Sequence, residues 1–144
     1  MATVQAILDR KGSEVVSLGP EHTVLAAAHL MNQRAIGGVV VVENDRVIGM
    51  FTERDVLRRV VSERRDPATT LLRDVMTAPV ETCEVASSID ACKAAMTERR
   101  VRHLPVLHDQ RLIGIVTIGD LIAFEVGEKD STIVQLNQYI FGAT

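Results

Sequence analysis

A threonine and an aspartate three residues apart, side chains that can hold a phosphate or a sugar, occur twice in the same setting. Gly49-Met50-Phe51-Thr52-Glu53-Arg54-Asp55 returns sixty-five residues later as Gly114-Ile115-Val116-Thr117-Ile118-Gly119-Asp120. Each copy closes an apolar run with strand character (Val47 to Phe51; Leu112 to Val116) and opens a helix-like stretch (Val56 to Val61; Leu121 to Val126). A strand that delivers Thr and Asp to the first turn of a helix presents free backbone N–H groups at the positive end of the helix dipole. That is a seat for a phosphate or a sugar hydroxyl. Thr-x-x-Asp is also close to a capping box, in which the same two side chains satisfy the orphan donors of the helix. Capping requires neither the glycine nor the echo, and both roles can hold at once.

The echo extends over the chain. Shifted by sixty-five residues without a gap, residues 9–63 align with 74–128, with identities at Asp9/Asp74, Met31/Met96, Arg34/Arg99, Val41/Val106 and Arg46/Arg111, among others. Each copy, about 60 residues long, reads in the same order. A short strand (Val15 to Leu18; Val80 to Cys83) leads to a helix (Thr23 to Gln33; Ser88 to Arg99) with Thr23 or Ser88 at the N-cap. Val24, Ala27, Ala28 and Met31, echoed by Ile89, Cys92 and Met96, recur at helical spacing. A wholly apolar strand follows (Val39 to Val42; Leu104 to Leu107), a pattern expected where both faces of a sheet are buried. A polar turn, a second strand and the Thr-x-x-Asp helix complete a β-α-β-β-α unit with its helices on one face of the sheet. One such unit buries only about 60% of its unfolded surface and is marginal alone, so the two are expected to form a pseudo-twofold pair packed sheet to sheet. The expected division is 1–65 and 66–128, with Glu63 to Thr70 as the connection, followed by an amphipathic C-terminal helix over 129–144 carrying Ile133, Leu136 and Ile140.

Composition narrows the function. The 144 residues are 47% apolar, enough for a core, but contain no Trp, one Tyr and three Phe. Base-stacking platforms for single-stranded nucleic acid need more aromatic faces, and a net charge of −3 gives no general attraction to nucleic acid or anionic membrane. No apolar run reaches the ~18 residues of a membrane span, and Met1 to Arg10 lacks the apolar centre of a signal peptide. A cytoplasmic protein is expected. His22, His29 and His108 show no metal-ligand spacing. Cys83 and Cys92 read as small buried hydrophobes, and Arg58-Arg59, Arg64-Arg65 and Arg99-Arg100 as solvated helix faces. Nothing has the spacing of a nucleophile with its base, a carboxylate pair or a metal site, so no catalytic residue and no catalytic cofactor are expected.

The tandem unit resembles the CBS (cystathionine-β-synthase) domain pair, or Bateman module, over residues 4 to about 126. The resemblance is carried by Ile36-Gly37-Gly38-Val39-Val40-Val41-Val42, by Val47 to Asp55, by Asp74-Val75-Met76-Thr77, by Val101-Arg102-His103-Leu104-Pro105-Val106 and by Thr117 with Asp120. The tail looks like that of free-standing bacterial members. The resemblance implies an α+β fold and a regulatory, energy-sensing and non-catalytic role. It implies adenine nucleotides (AMP, ADP, ATP or NAD, or S-adenosylmethionine) in two clefts between the repeats, a homodimer, and a regulated partner. Asp55 and Asp120 would accept from ribose hydroxyls, and Thr52 and Thr117 would donate to phosphate. Lys11, Gly12 and Val15, with Thr77 and Val80, would read the adenine edge, while Gly37, Gly38, Arg102, His103, Leu104 and Pro105 would line the walls. Arg54 stands where the second copy has Gly119, and Arg102-His103 where the first has Gly37-Gly38. Guanidinium pairs bidentately with phosphate, so Arg54 and Arg102 are expected to favour a polyphosphate at one cleft. His103 is either a phosphate contact or a packed residue. The alternatives are a ligand-indifferent dimeric interaction protein that regulates an enzyme or transporter, and a small enzyme acting on a nucleotide.

Overall fold

The computed structural model describes residues 2–128; the tail helix expected over 129–144 lies outside the described residues. The first half contains α1 (Val4–Lys11), β1 (Ser17–Leu18), α2 (Val24–Arg34), β2 (Gly38–Glu43), β3 (Arg46–Thr52) and α3 (Glu53–Asp55), which runs on as a π-helical segment, Val56–Val61. The second half repeats the order with α4 (Leu72–Val75), β4 (Cys83–Glu84), α5 (Ile89–Arg99), β5 (His103–His108) and β6 (Arg111–Thr117). A helix over 118–128, α6, follows.

Local chemistry explains most of these elements. Thr23 Oγ1 accepts from Ala26 N at 3.1 Å and Ser88 Oγ from Ala91 N at 3.0 Å, so both long helices start where their hydroxyls predict. The hairpins turn at Asn44-Asp45 (φ 53° and 62°) and Asp109-Gln110 (φ 49° and 66°). Two successive positive-φ residues make the tight turn whose twist suits antiparallel strands, and after glycine it is Asn and Asp that tolerate that region best. β2 pairs with β3 antiparallel and with β1 parallel; β5 pairs in the same way with β6 and β4. In each hairpin the register slips at the same place, between Val41 and Val42 and between Val106 and Leu107. The first strands are shorter than expected, since Val15, Val16 and Val80 precede the paired residues and lie along cleft walls instead.

Each sheet has a helix-covered face and a face toward the other repeat. Val39, Val41 and Phe51 join Val24, Ala27 and Met31 of α2 in one core, while Val40 and Met50, paired across β2 and β3, are buried on the opposite face. β3 and β6 lie against each other, the sheet-to-sheet packing that the repeat pattern predicts.

The cores do not follow the order of the chain. Val4, Ile7 and Leu8 of α1 are buried in the core of the second repeat with Leu104, Val106, Val116 and Leu121. Leu72 and Val75 of α4 are buried in the core of the first. Backbone bonds anchor the exchange: Val4 N donates to Ser87 O at 2.9 Å and Ile89 N to Ala2 O at 3.1 Å, while Leu72 N donates to His22 O and Val24 N to Thr70 O, both at 2.9 Å. Each repeat is thus completed by the segment that leads into the other. Cys83 and Cys92 are free and buried in the second core. Their mutual hydrogen bond, with burial, pushes the Cys83 thiol up and away from the reactive thiolate.

Candidate functional site: two clefts between the repeats

The leader exchange builds the clefts. To complete the second core, α1 crosses the edge of β6, and Leu8 takes the space where Gly114 has no side chain: a Cβ there would come within 3.0 Å of Leu8 Cδ2. Beside Gly49 the segment Met76-Thr77 runs along β3, with Met50 and Thr77 exchanging backbone bonds of 3.0 and 2.8 Å. A Cβ at Gly49 would stand 2.6 Å from Met76 Sδ and 3.0 Å from Thr77 O, so only glycine lets that strand approach. The glycine of the repeated motif is therefore a packing residue. It admits the leader of the opposite repeat beside the Thr–Asp turn.

Cleft 1, about 600 Å³, is bounded by Thr52, Arg54 and Asp55 of the first repeat, by Thr77 and Val80, and by the segment before and at the start of β5 through Arg102 and His103. Cleft 2, about 620 Å³, is its counterpart, with Thr117 and Asp120 of the second repeat, Lys11 and Val15, and Gly37 and Gly38 at the start of β2. Gly37, Arg102 and His103 border both. Of the remaining sequence-predicted residues, Gly12 caps α1 at φ 91° outside both linings, with its N–H on Leu8 O. Leu104 and Pro105 are buried in the sheet and line neither cleft: Leu104 enters the helix-covered core, and Pro105, the next residue of the strand, takes the opposite face, which is covered as well.

The capping reading holds in full. Thr52 N donates to Asp55 Oδ2 at 3.0 Å and Asp55 N to Thr52 Oγ1 at 3.3 Å; Thr117 N donates to Asp120 Oδ2 at 2.8 Å and Asp120 N to Thr117 Oγ1 at 3.2 Å. Beyond the cap the two acids differ. Asp55 is 5% exposed, and its Oδ1 accepts from Thr77 Oγ1 at 3.0 Å and faces Arg59 Nε at 3.5 Å. Asp120 is half-buried, and Lys11 Nζ donates to its Oδ2 at 2.7 Å and to Ile115 O at 3.0 Å.

The arginines read as solvated faces include cleft residues. Arg58, Arg59, Arg99 and Arg100 all border cleft 1, whereas Arg64 and Arg65 border neither cleft. Arg59 Nη1 also donates to Met76 O at 2.9 Å, and Arg54 Nη1 to Arg100 O at 3.0 Å. A signal for Arg99 existed in the sequence, its identity with Arg34, which borders cleft 2. The i,i+4 spacing of Asp55 and Arg59 was a local signal for Arg59, whereas nothing local marked Arg58. His103 stands at the partition, 3.5 Å from where a Cβ on Gly37 would lie. Burial lowers its imidazole below the ordinary value, against the opposing pull of Glu53 and Asp120.

Tandem α+β units that exchange their leaders and share two clefts define a class of two-repeat module. The CBS domain family model matches residues 6–62 and 72–127, and the chain belongs to the CBS-domain family. An uncharacterized protein of Methanopyrus kandleri is 37% identical over 78% of this chain, which spans 58% of that protein's length. A solved CBS-domain structure from Burkholderia ambifaria is 40% identical, superposes with a TM-score of 0.85, and covers 88% of this chain and 95% of its own. The CBS domain pair of protein MJ0100, solved in complex with 5′-methylthioadenosine and S-adenosyl-L-methionine, shares the fold at 20% identity and a TM-score of 0.78, covering 89% of this chain and 98% of its own. No described helix is long and apolar enough to cross a membrane.

Proposed function

We propose that the protein is a non-catalytic regulatory module of the cytoplasm that binds adenine nucleotides (AMP, ADP, ATP or NAD) between its repeats. The observation that carries this reading is the pair of clefts of about 600 and 620 Å³ built to one plan. Each joins the capped Thr–Asp turn of one repeat to the leader and strand start of the other, so a ligand in either touches both. A ligand that fits one inter-repeat angle better shifts the population toward it, by no more than its differential affinity for the two states. A regulated partner would read that angle. The adenosine ligands of MJ0100 belong to that protein; here they are consistent with a fold that can seat such compounds.

The proposed assembly is a homodimer. Leu57, Val61, Ile122 and Val126 are exposed large apolar residues, at 62%, 60%, 54% and 49%. They are also equivalent pairs under the repeat. A pseudo-twofold apolar surface suits a second copy. This surface is also what favours the second reading, a dimer that regulates an enzyme or transporter without a ligand.

Thermal unfolding separates the two. A nucleotide at 100 times its dissociation constant adds about 2.7 kcal/mol to the folded state, so at least one of AMP, ADP, ATP and NAD is expected to raise the midpoint. A midpoint indifferent to all four favours the ligand-indifferent protein. In the same scans, a linked dimer makes the midpoint rise with protein concentration.

A further inference from the structure

The two clefts have nearly the same size and different charge inventories. In cleft 2 the acids and bases cancel in pairs: Lys11 with Asp120 at 2.7 Å and Arg34 with Glu14 at 2.9 Å. The cation left over is Arg102, at the partition. In cleft 1, Arg59 lies 3.5 Å from Asp55 and Arg99 3.7 Å from Glu81. Four guanidiniums, those of Arg54, Arg58, Arg100 and Arg102, then face the single carboxylate of Glu53. Among the described residues, no carboxylate lies in ion-pair distance of any of the four. The surplus comes from side chains alone, since the repeat partners of Arg54, Arg58, Arg100 and Arg102 are Gly119, Ala123, Ala35 and Gly37.

Uncompensated guanidiniums around a cavity that excludes part of the solvent match an anion of several charges, and they hold phosphate oxygens through short charge-assisted bonds. We infer that cleft 1 is a polyphosphate cleft, which takes a nucleoside di- or triphosphate, and that cleft 2 takes an adenosine-bearing ligand of low charge. The nucleoside part of this inference rests on the reading above. The charge part rests on the arginines. Arg102 serves both walls, so a polyphosphate that recruits it in cleft 1 withdraws the cation that cleft 2 has not already paired.

Calorimetric titration of the intact protein with adenosine, AMP, ADP, ATP and inorganic tripolyphosphate tests it, alongside the double variant Arg58→Ala/Arg100→Ala. Both side chains are exposed and border cleft 1 alone, and the melting midpoint of the variant checks its fold. Affinity is expected to rise with each phosphate from AMP to ATP. The double variant is expected to lose roughly tenfold per guanidinium toward ATP, and so on the order of a hundredfold, while binding adenosine as before. Equal affinity for AMP and ATP, or a double variant that binds ATP like the parent, overturns the inference and leaves the adenosine reading intact. Tripolyphosphate that binds and displaces nothing, with adenosine binding nowhere, supports the charge assignment and sinks the adenosine reading. Silence from all five ligands overturns both.

Discussion

The two capping boxes are alike in backbone and cap geometry, yet their acids meet different partners. Asp55 is buried beneath Thr77 and Arg59, whereas Asp120 is half-buried and held by Lys11. The cause lies at positions 59 and 124, where the first repeat has an arginine and the second a phenylalanine. Arg59 reaches back one turn to its own aspartate, while Phe124 enters the core and carries Arg10 over its ring at 4.4 Å. Lys11, whose repeat partner is Met76, supplies the cation that Asp120 then lacks. Duplication therefore copied the scaffold of the site, and a few substitutions made two electrostatically distinct clefts from it.

The comparison can be broken most forcefully at its foundation, the exchanged leaders. Leu72→Ala and Leu8→Ala each remove a buried leucine from the opposite repeat's core, and each is expected to cost about 2–5 kcal/mol by denaturant unfolding. A cost below about 0.5 kcal/mol, as for a surface change, would show that the leader is not structural. A smaller effect sharpens the contrast between the acids. Asp55→Asn weakens the buried contacts with Thr77 and Arg59 and is expected to cost about 1–3 kcal/mol, while Asp120→Asn, in a half-exposed ion pair, should cost about 1 kcal/mol or less. Equal costs would mean that the two turns are electrostatically equivalent after all.

The smallest effect concerns the shared partition. Burial depresses the folded-state value of His103 below its ordinary 6.5. Above pH 6.5 both folded and unfolded forms are neutral, and the full stability is present. As the pH falls from there through the depressed folded value, the unfolded chain takes up the proton first and stability drops. His103→Gln should flatten that part of the stability profile measured between pH 7.5 and 5. An unchanged slope would remove His103 as its source.

Much of this fold was legible because its signals are local or periodic. Thr23 and Ser88 cap the helices they precede, Asn44-Asp45 bends where short polar residues must, and Val39 to Val42 is apolar throughout because both faces of its sheet are covered. Other features were illegible for equally physical reasons. α4 has only four residues, too few for a helical period to show. Val4, Ile7 and Leu8 do show the period of α1, but no period says which core the apolar stripe enters. Leu104 and Pro105 look like continuations of the Arg102-His103 wall, yet they point to opposite faces of a sheet that is covered on both. Arg58 looks solvated until the turn of the helix brings it over cleft 1.

The amino-acid sequence by itself determined the repeat, the caps, the turns and the paired Thr–Asp motif, since each depends on contacts within a few residues or on a simple spacing. Only the tertiary structure decided which leader completes which core, which glycine admits it, and that Thr77 reaches Asp55 and Lys11 reaches Asp120. Those contacts join residues 22 to 109 positions apart, as Thr77 to Asp55 and Lys11 to Asp120. Their partners are chosen by packing, which leaves no periodic trace in the chain.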